Sequence, residues 1–251
     1  AITLAEEGWD VSPRLADLLA NPRLRGALKL DDNPVSAAYF YPDGKPLPVG
    51  FKRDNPDYAE TLRTVSLMGP DAFYKGSLAQ QIVNAANEEP FPSGMTLEDL
   101  ATYEVKTRAA LCGTHETYRI CSAPPPSSGG VAQNMIFGLY ERLVGAADGD
   151  MTDDDRVVAF VDAQRRAYAD RDHYVADADV VPVPSDDQIN PDYLDVRVTQ
   201  AFAPDAPSTP GDPGEALGRQ PLVGMWGQDP TGDVPGTTHI SFIDSVGYAV
   251  S

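Results

Sequence analysis

The sequence predicts a mixed α/β (α+β) fold in which helices outnumber strands. Three observations carry that prediction. Helix-start signals recur along the chain: Ser12-Pro13, Asn55-Pro56, Thr96 with Asp99 three residues on, and Thr152 ahead of a long stretch of periodic apolar residues. Period-two alternation, the mark of a strand, is confined to short stretches, most clearly His239-Ile240-Ser241-Phe242-Ile243-Asp244. Between these textures lies 203–236, with Pro204, Pro207, Pro210, Pro213, Pro221, Pro230 and Pro235, which can continue neither a helix nor a central strand.

Taken in order, residues 1–30 read as helices, the second opening at Ser12-Pro13 with Leu15, Leu18 and Leu19 on one face. Residues 35–49 read as a small hairpin, Val35 to Tyr41 and Leu47 to Val49, around a turn at Pro42-Asp43-Gly44-Lys45. Asn55-Pro56 starts a helix carrying Tyr58, Leu62, Val65 and Leu67, and Leu78, Ile82 and Val83 mark another over 77–88. Thr96 and Asp99 form a capping box. Strands are expected near 35–41, 105–123 and 238–244. Helix 130–144 offers Val131, Met135, Ile136, Leu139 and Leu143 on one face, and the helix after Thr152 offers Val157, Val158, Val161 and Tyr168. Residues 203–236 are expected to be exposed and loosely packed. Asp244-Ser245-Val246-Gly247 reads as a turn and Tyr248 to Ser251 as the start of a returning strand. A hairpin interrupted there leaves backbone groups unpaired, so the polypeptide is expected to continue.

Composition narrows the function. The chain has 251 residues, enough for a sizeable core, and its mean hydropathy of −0.30 suits a globular protein. Against 19 Lys and Arg stand 38 Asp and Glu, a net charge of −19, which argues against nucleic acid or anionic membranes as partners. No apolar run approaches the roughly 18 residues of a membrane span, and no signal peptide opens the chain. Asp148, Asp150, Asp153, Asp154 and Asp155 form the densest acidic patch; it reads as a solvated loop and helix start rather than a metal site, since calcium loops need a longer, regular ligand spacing. No metal is implied by any His or Cys spacing. Cys112 and Cys121 flank a turn and read either as a disulfide, which secretion would permit, or as two small buried thiols.

Candidate chemistry concentrates at Gly236-Thr237-Thr238-His239. A threonine that follows an exposed proline-rich segment and opens a strand can become a new N-terminus. Its free α-amine, with a pKa near ~8, then takes the hydroxyl proton, so one residue supplies both nucleophile and base. The plainer reading is two β-branched strand residues. His239 shares a strand face with Thr237 but is not needed as base; His115 reads as a solvated turn residue and His173 as a surface residue. Ser127-Ser128-Gly129-Gly130, at a helix entry, reads as a packing turn in preference to an anion site. Asp170-Arg171 reads as structural, an ion pair either buried or exposed.

Thr-Thr-His followed by a strand and an Asp-x-x-Gly turn resembles the processing site of the γ-glutamyltranspeptidase family. Further stretches agree, in order: the opening 1–12, Gly69-Pro70-Asp71-Ala72-Phe73-Tyr74-Lys75-Gly76, Met95 to Leu100, Tyr118-Arg119 leading into Pro124-Pro125-Pro126-Ser127-Ser128-Gly129-Gly130, and Tyr168-Ala169-Asp170-Arg171. The resemblance covers essentially the whole chain. It implies an Ntn-hydrolase-like αββα sandwich, incomplete in this chain. It also implies a precursor cut at the processing site Gly236/Thr237, dividing a large subunit (1–236, with 203–236 a processing linker) from the start of a small one (237–251). Thr237 would attack a γ-glutamyl donor such as glutathione, and water or an acceptor amine would take the acyl group; glutaryl β-lactams and poly-γ-glutamate are the alternatives within the family. No cofactor is implied. A periplasmic or extracellular location is implied, and the small subunit of the same precursor is the expected partner. The donor-binding arginine and oxyanion glycines of the family match no position here. Uncut, with Thr237 bonded to Gly236, the chain is expected to be inactive, and a non-catalytic scaffold of the same fold is the other class of function.

Overall fold

The computed structural model describes residues 1–89, 92–147, 149–200, 205–225, 227 and 241–250. The fold is α+β, with helices dominant and the strands forming three two-stranded antiparallel ribbons among the described residues. Two compact units divide the chain, Ala1–Lys106 and Thr107–Ser251.

The first unit holds helices α1 (Ile2–Glu7), α2 (Pro13–Ala20), α3 (Pro22–Leu28), α4 (Pro34–Phe40), α5 (Pro56–Met68), α6 (Asp71–Tyr74), α7 (Ser77–Ala86) and α8 (Leu97–Ala101). Strands β1 (Trp9–Asp10) and β2 (Lys52–Arg53) pair between them. The expected caps form: Ser12 accepts from the Leu15 N–H, Asn55 from that of Tyr58, and Thr96 with Asp99 closes the capping box. Residues 35–40 are helical rather than a strand, and Tyr41 is the C-cap. Asn33 accepts from the N–H groups of Val35 and Ser36, and Pro34 sits at the first helical position, so a local start signal outweighs the aromatic and β-branched composition. Tyr41 and Leu47 are buried with Val11 and Leu19, and the Tyr41 hydroxyl donates to the Leu19 carbonyl. At Gly8 the backbone takes φ 79°, and a Cβ there would stand 3.0 Å from the Arg53 carbonyl oxygen; only glycine meets both demands.

In the second unit, β3 (Leu111–His115) and β4 (Tyr118–Ser122) form the expected hairpin, with Cys112 paired opposite Cys121 and bonded to it as a disulfide. The ribbon packs on α9 (Gly129–Gly145), which also packs against α10 (Asp153–Tyr174) and α12 (Pro191–Thr199). Short helices α11 (Ser185–Gln188) and α13 (Pro213–Ala216) complete the unit, with strands β5 (Phe242–Ile243) and β6 (Ala249–Val250). The core gathers Leu111, Val131, Met135, Leu139, Ala163, Ala167, Tyr193 and Leu194. At Gly130 a Cβ would lie 2.5 Å from the Ala123 carbonyl oxygen, so the turn entering α9 packs too tightly for any other residue.

The buried face of α10 is not the one that holds its largest apolar residues. Ala159, Ala163 and Ala167 face inward, whereas Val157, Val158, Val161 and Tyr168 are exposed. Small residues let α9 and α10 approach closely, and the larger apolar ones are left outside.

Candidate functional site

Gly236, Thr237, Thr238 and His239 lie outside the described residues. Their two flanks are described, and both belong to the second unit. On the far side, β5 and β6 pair through Phe242↔Val250 and Ile243↔Ala249. Asp244 builds the turn: its Oδ1 accepts from the N–H groups of Val246 (3.0 Å) and Tyr248 (2.9 Å), and Gly247 takes φ 94°. The expected turn and the second strand are present.

On the near side the structure departs from a loosely packed stretch. Gly211, Asp212, Pro213 and Gly214 are buried, and α13 starts at Pro213. What buries them is a polar cluster around Asp170, the family-like Tyr-Ala-Asp-Arg aspartate near the end of α10. Asp170 is fully buried. Its carboxylate accepts from the Tyr193 hydroxyl (2.5 Å), the Arg197 Nε (3.2 Å to each oxygen) and the Gly211 N–H (2.8 Å). Burial holds the Asp170 carboxyl above the ordinary carboxylate range, against Arg197, Tyr193 and the Gly211 N–H, which all favour the ion. Burial and the Asp170 charge push the Tyr193 hydroxyl far upward, so it acts as a donor only. Arg197 extends the cluster: Nη2 donates to the Thr209 carbonyl (2.7 Å) and Nη1 to Gln200 Oε1 (2.7 Å). The Tyr174 hydroxyl donates to the Gly211 carbonyl (2.7 Å). Gly211 thus has both backbone polar groups held, and a Cβ there would overlap the Tyr193 hydroxyl and come within 2.7 Å of Arg197 Cδ.

Asp212 makes the next fixed point. Oδ2 accepts from the N–H groups of Leu222 (2.7 Å) and Val223 (2.8 Å), and Oδ1 from that of Glu215 (3.0 Å). Burial alone would raise its pKa, but the backbone N–H groups of Val223, Glu215, Leu222 and Gly214 together hold it below the usual value. A depressed folded-state pKa means stability that is fully present above the unfolded value near ~4 and is lost as pH falls through the folded one. The Asp212 carboxyl carbon resonance is therefore expected to hold steady from neutral pH down to about 4 and to move only below it. Movement between pH 6 and 5 would contradict the assignment.

The remaining candidates are accounted for locally. Asp170 pairs with Arg197, not with its neighbour; Arg171 meets Asp172 at the surface. His115 is not a solvated turn residue: it ends β3, stacks on Phe137 with centroids 4.5 Å apart, and sets Nδ1 2.6 Å from Glu141 Oε1. His173 is near the C-terminal end of α10, with Nε2 2.8 Å from the Val223 carbonyl oxygen. Within the acidic patch Asp155 closes the Thr152 capping box, and Asp148 lies outside the described residues. No group of three or more His, Cys, Asp or Glu placed to hold a metal occurs among the described residues. Sequence reasoning missed Tyr193, Arg197 and Gly211. The available signal was an arginine on the same helical face as Tyr193 and Leu194, which calls for a buried acid opposite.

A family profile described as Gamma-glutamyltranspeptidase matches residues 1–251. The chain is 32% identical over 259 residues to the glutathione hydrolase proenzyme of Escherichia coli (strain K12), covering all of this chain and 40% of that protein. It is also 32% identical over 254 residues to the acylase ACY 1 proenzyme of Pseudomonas sp. (strain SE83), covering all of this chain and 41% of the relative. The chain thus spans about two fifths of the length of these curated relatives. The crystal structure of Helicobacter pylori γ-glutamyltranspeptidase superposes with a TM-score of 0.66 at 29% identity, over 92% of this chain and 62% of that one. End-to-end agreement in sequence and fold decides the matter: the chain belongs to the γ-glutamyltranspeptidase family of Ntn hydrolases.

Proposed function

We propose that the full-length protein is a γ-glutamyl acyltransferase or hydrolase acting through Thr237, freed as an N-terminal residue by cleavage at Gly236/Thr237. The observation that carries this reading is Gly236-Thr237-Thr238-His239, placed after a proline-rich segment in a chain that belongs to this family throughout. In maturation the Thr237 hydroxyl attacks the Gly236 carbonyl, the acyl group shifts from nitrogen to oxygen, and water hydrolyses the ester. This leaves a free α-amine. In turnover that amine takes the hydroxyl proton as the oxygen attacks the γ-glutamyl carbonyl. The donor's amine leaves with the proton, and water or an amino-acid or peptide acceptor releases the glutamyl group. The small subunit of the same precursor is the partner, and glutathione-type donors are the substrates. The disulfide between Cys112 and Cys121 supports an oxidising, periplasmic or extracellular setting. Among the described residues no helix is long and apolar enough to cross a membrane.

A second reading, an acylase on glutaryl-type or poly-γ-glutamyl substrates, is favoured by the equal identity to the acylase ACY 1 proenzyme. Denaturing mass spectrometry of the purified full-length product tests the common core of both. Two fragments are expected, the later one beginning at Thr237. A single intact mass, or a cut elsewhere, would leave a scaffold role as the better account.

A further inference from the structure

The disulfide between Cys112 and Cys121 joins directly opposite positions of the β3–β4 ribbon. Successive strand residues point to opposite sides, so the ribbon has two faces. One face meets α9: Leu111 enters the core, a Cβ at Gly113 would overlap Asn134, and His115 stacks on Phe137. Cys112 and Thr114 therefore belong to the other face, opposite Cys121 and Arg119. On that face Thr114, Arg119 and Cys121 are exposed and Cys112 is half-buried. The ribbon has other means of staying folded. The pairs Leu111↔Ser122, Gly113↔Ile120, Thr114↔Arg119 and His115↔Tyr118 hold its register, and the Glu116 N–H donates to Glu141 Oε1 on α9 (2.9 Å). The cysteines are 9 residues apart, a short loop, and cross-linking a short loop restricts the unfolded chain least. Exposed disulfides that hold little of the fold are the ones open to exchange.

We propose that Cys121 is a modification site for a small anionic thiol of the glutathione type, which exchanges with the Cys112–Cys121 disulfide while the ribbon stays folded. The thiolate sulfur bonds to Cys121 Sγ, the bond between the two cysteines breaks, and Cys112 leaves as a thiolate. One disulfide replaces another, so no outside oxidant or reductant enters. A second thiolate attacking the thiol-borne sulfur releases the symmetrical disulfide and leaves both cysteines reduced; attack by Cys112 instead restores the original bond. Cys121 takes the thiol because its sulfur is on the more exposed residue. Arg119 gives the site its preference. It is two residues from Cys121 on the same strand face, about 7 Å along the strand. On a chain of net charge −19, which repels anions, it sets a cation beside the exposed sulfur and draws a thiolate in. The site stands on the ribbon alone; the choice of thiol rests on the donor class given above.

The test uses full-length protein carrying Thr237→Ala, so that glutathione is not consumed by turnover. It is incubated with reduced glutathione at neutral pH, quenched with N-ethylmaleimide and mapped by mass spectrometry. Glutathione is expected on Cys121 and N-ethylmaleimide on Cys112, at a rate close to that of a urea-denatured control. The amides of β3 and β4 are expected to keep their protection from hydrogen exchange in the modified protein. Arg119→Gln is expected to slow modification by glutathione up to about fivefold, the scale of one surface charge contact, without slowing that by cysteamine, a cationic thiol. Modification confined to the denatured control, glutathione on Cys112 in place of Cys121, loss of ribbon protection on modification, or an Arg119→Gln protein that reacts with both thiols as before would each overturn the proposal. A wild-type precursor that is never cut at Gly236/Thr237 overturns the function reading and leaves this site standing.

Discussion

Full-length protein carrying Thr237→Ala is expected to accumulate as one uncut chain with no turnover of a γ-glutamyl anilide. One hydroxyl serves twice in the proposed scheme, attacking the Gly236 carbonyl in maturation and the donor carbonyl in catalysis. Its removal costs both. The scale of the loss is that of deleting the nucleophile of a serine hydrolase, on the order of 10⁶-fold in kcat. Thr237→Ser keeps an oxygen at the same position and is expected to retain part of both activities. The pairing of maturation with turnover is the discriminating result, because a residue needed only for folding would not be rescued by serine. A Thr237→Ala protein that still appears as two fragments would end the account.

The second large effect is on stability. Asp170→Ala is expected to cost the second unit about 3–5 kcal/mol, the usual penalty for removing one member of a buried ion pair. The variant leaves the Arg197 guanidinium, 3% exposed, without its carboxylate, and releases the Tyr193 hydroxyl and the Gly211 N–H in the same low-dielectric site. Asp172→Ala, two residues along the same helix, is the comparison: its contact with Arg171 is at the surface and is worth at most ~1 kcal/mol. Urea unfolding of the two variants, followed by hydrogen exchange in the second unit, measures the difference. If Asp170→Ala cost no more than Asp172→Ala, the cluster would have no structural role.

Local chemistry was legible in the sequence, and chemistry depending on distant partners was not. The caps at Ser12, Asn55, Thr96 and Thr152 are written within three residues of the groups they satisfy, and each appears as expected. The Asp244 turn is equally local. At Pro34 the same kind of signal, Asn33 before proline, was present but was outweighed by the strand-like look of Val35 to Tyr41. For α10 the largest apolar residues, Val157, Val158, Val161 and Tyr168, mark the helix in the sequence but not its buried face, which alanines at 159, 163 and 167 form by allowing closer packing. Asp170 could be singled out from its motif, but its partners at 193, 197 and 211 come from other elements, brought together only by the folding of α12 and the segment after it. The candidate nucleophile stood out only through resemblance to the family, since Thr237-Thr238 alone reads more plainly as two strand residues.

The outward side of α10 bears on how the 251-residue chain behaves in solution. Val157, Val158, Val161 and Tyr168 form an oily stripe on a molecule whose formal charge is −19. Charge of that size keeps copies apart through mutual repulsion, and repulsion is what salt screens within about 10 Å at 0.1 M. Two conditions remove the protection: high ionic strength, and acidity near the sequence pI of about 4.3. In both, the outward side of α10 is one surface through which copies can meet, and dilute buffer at neutral pH keeps the repulsion that opposes it.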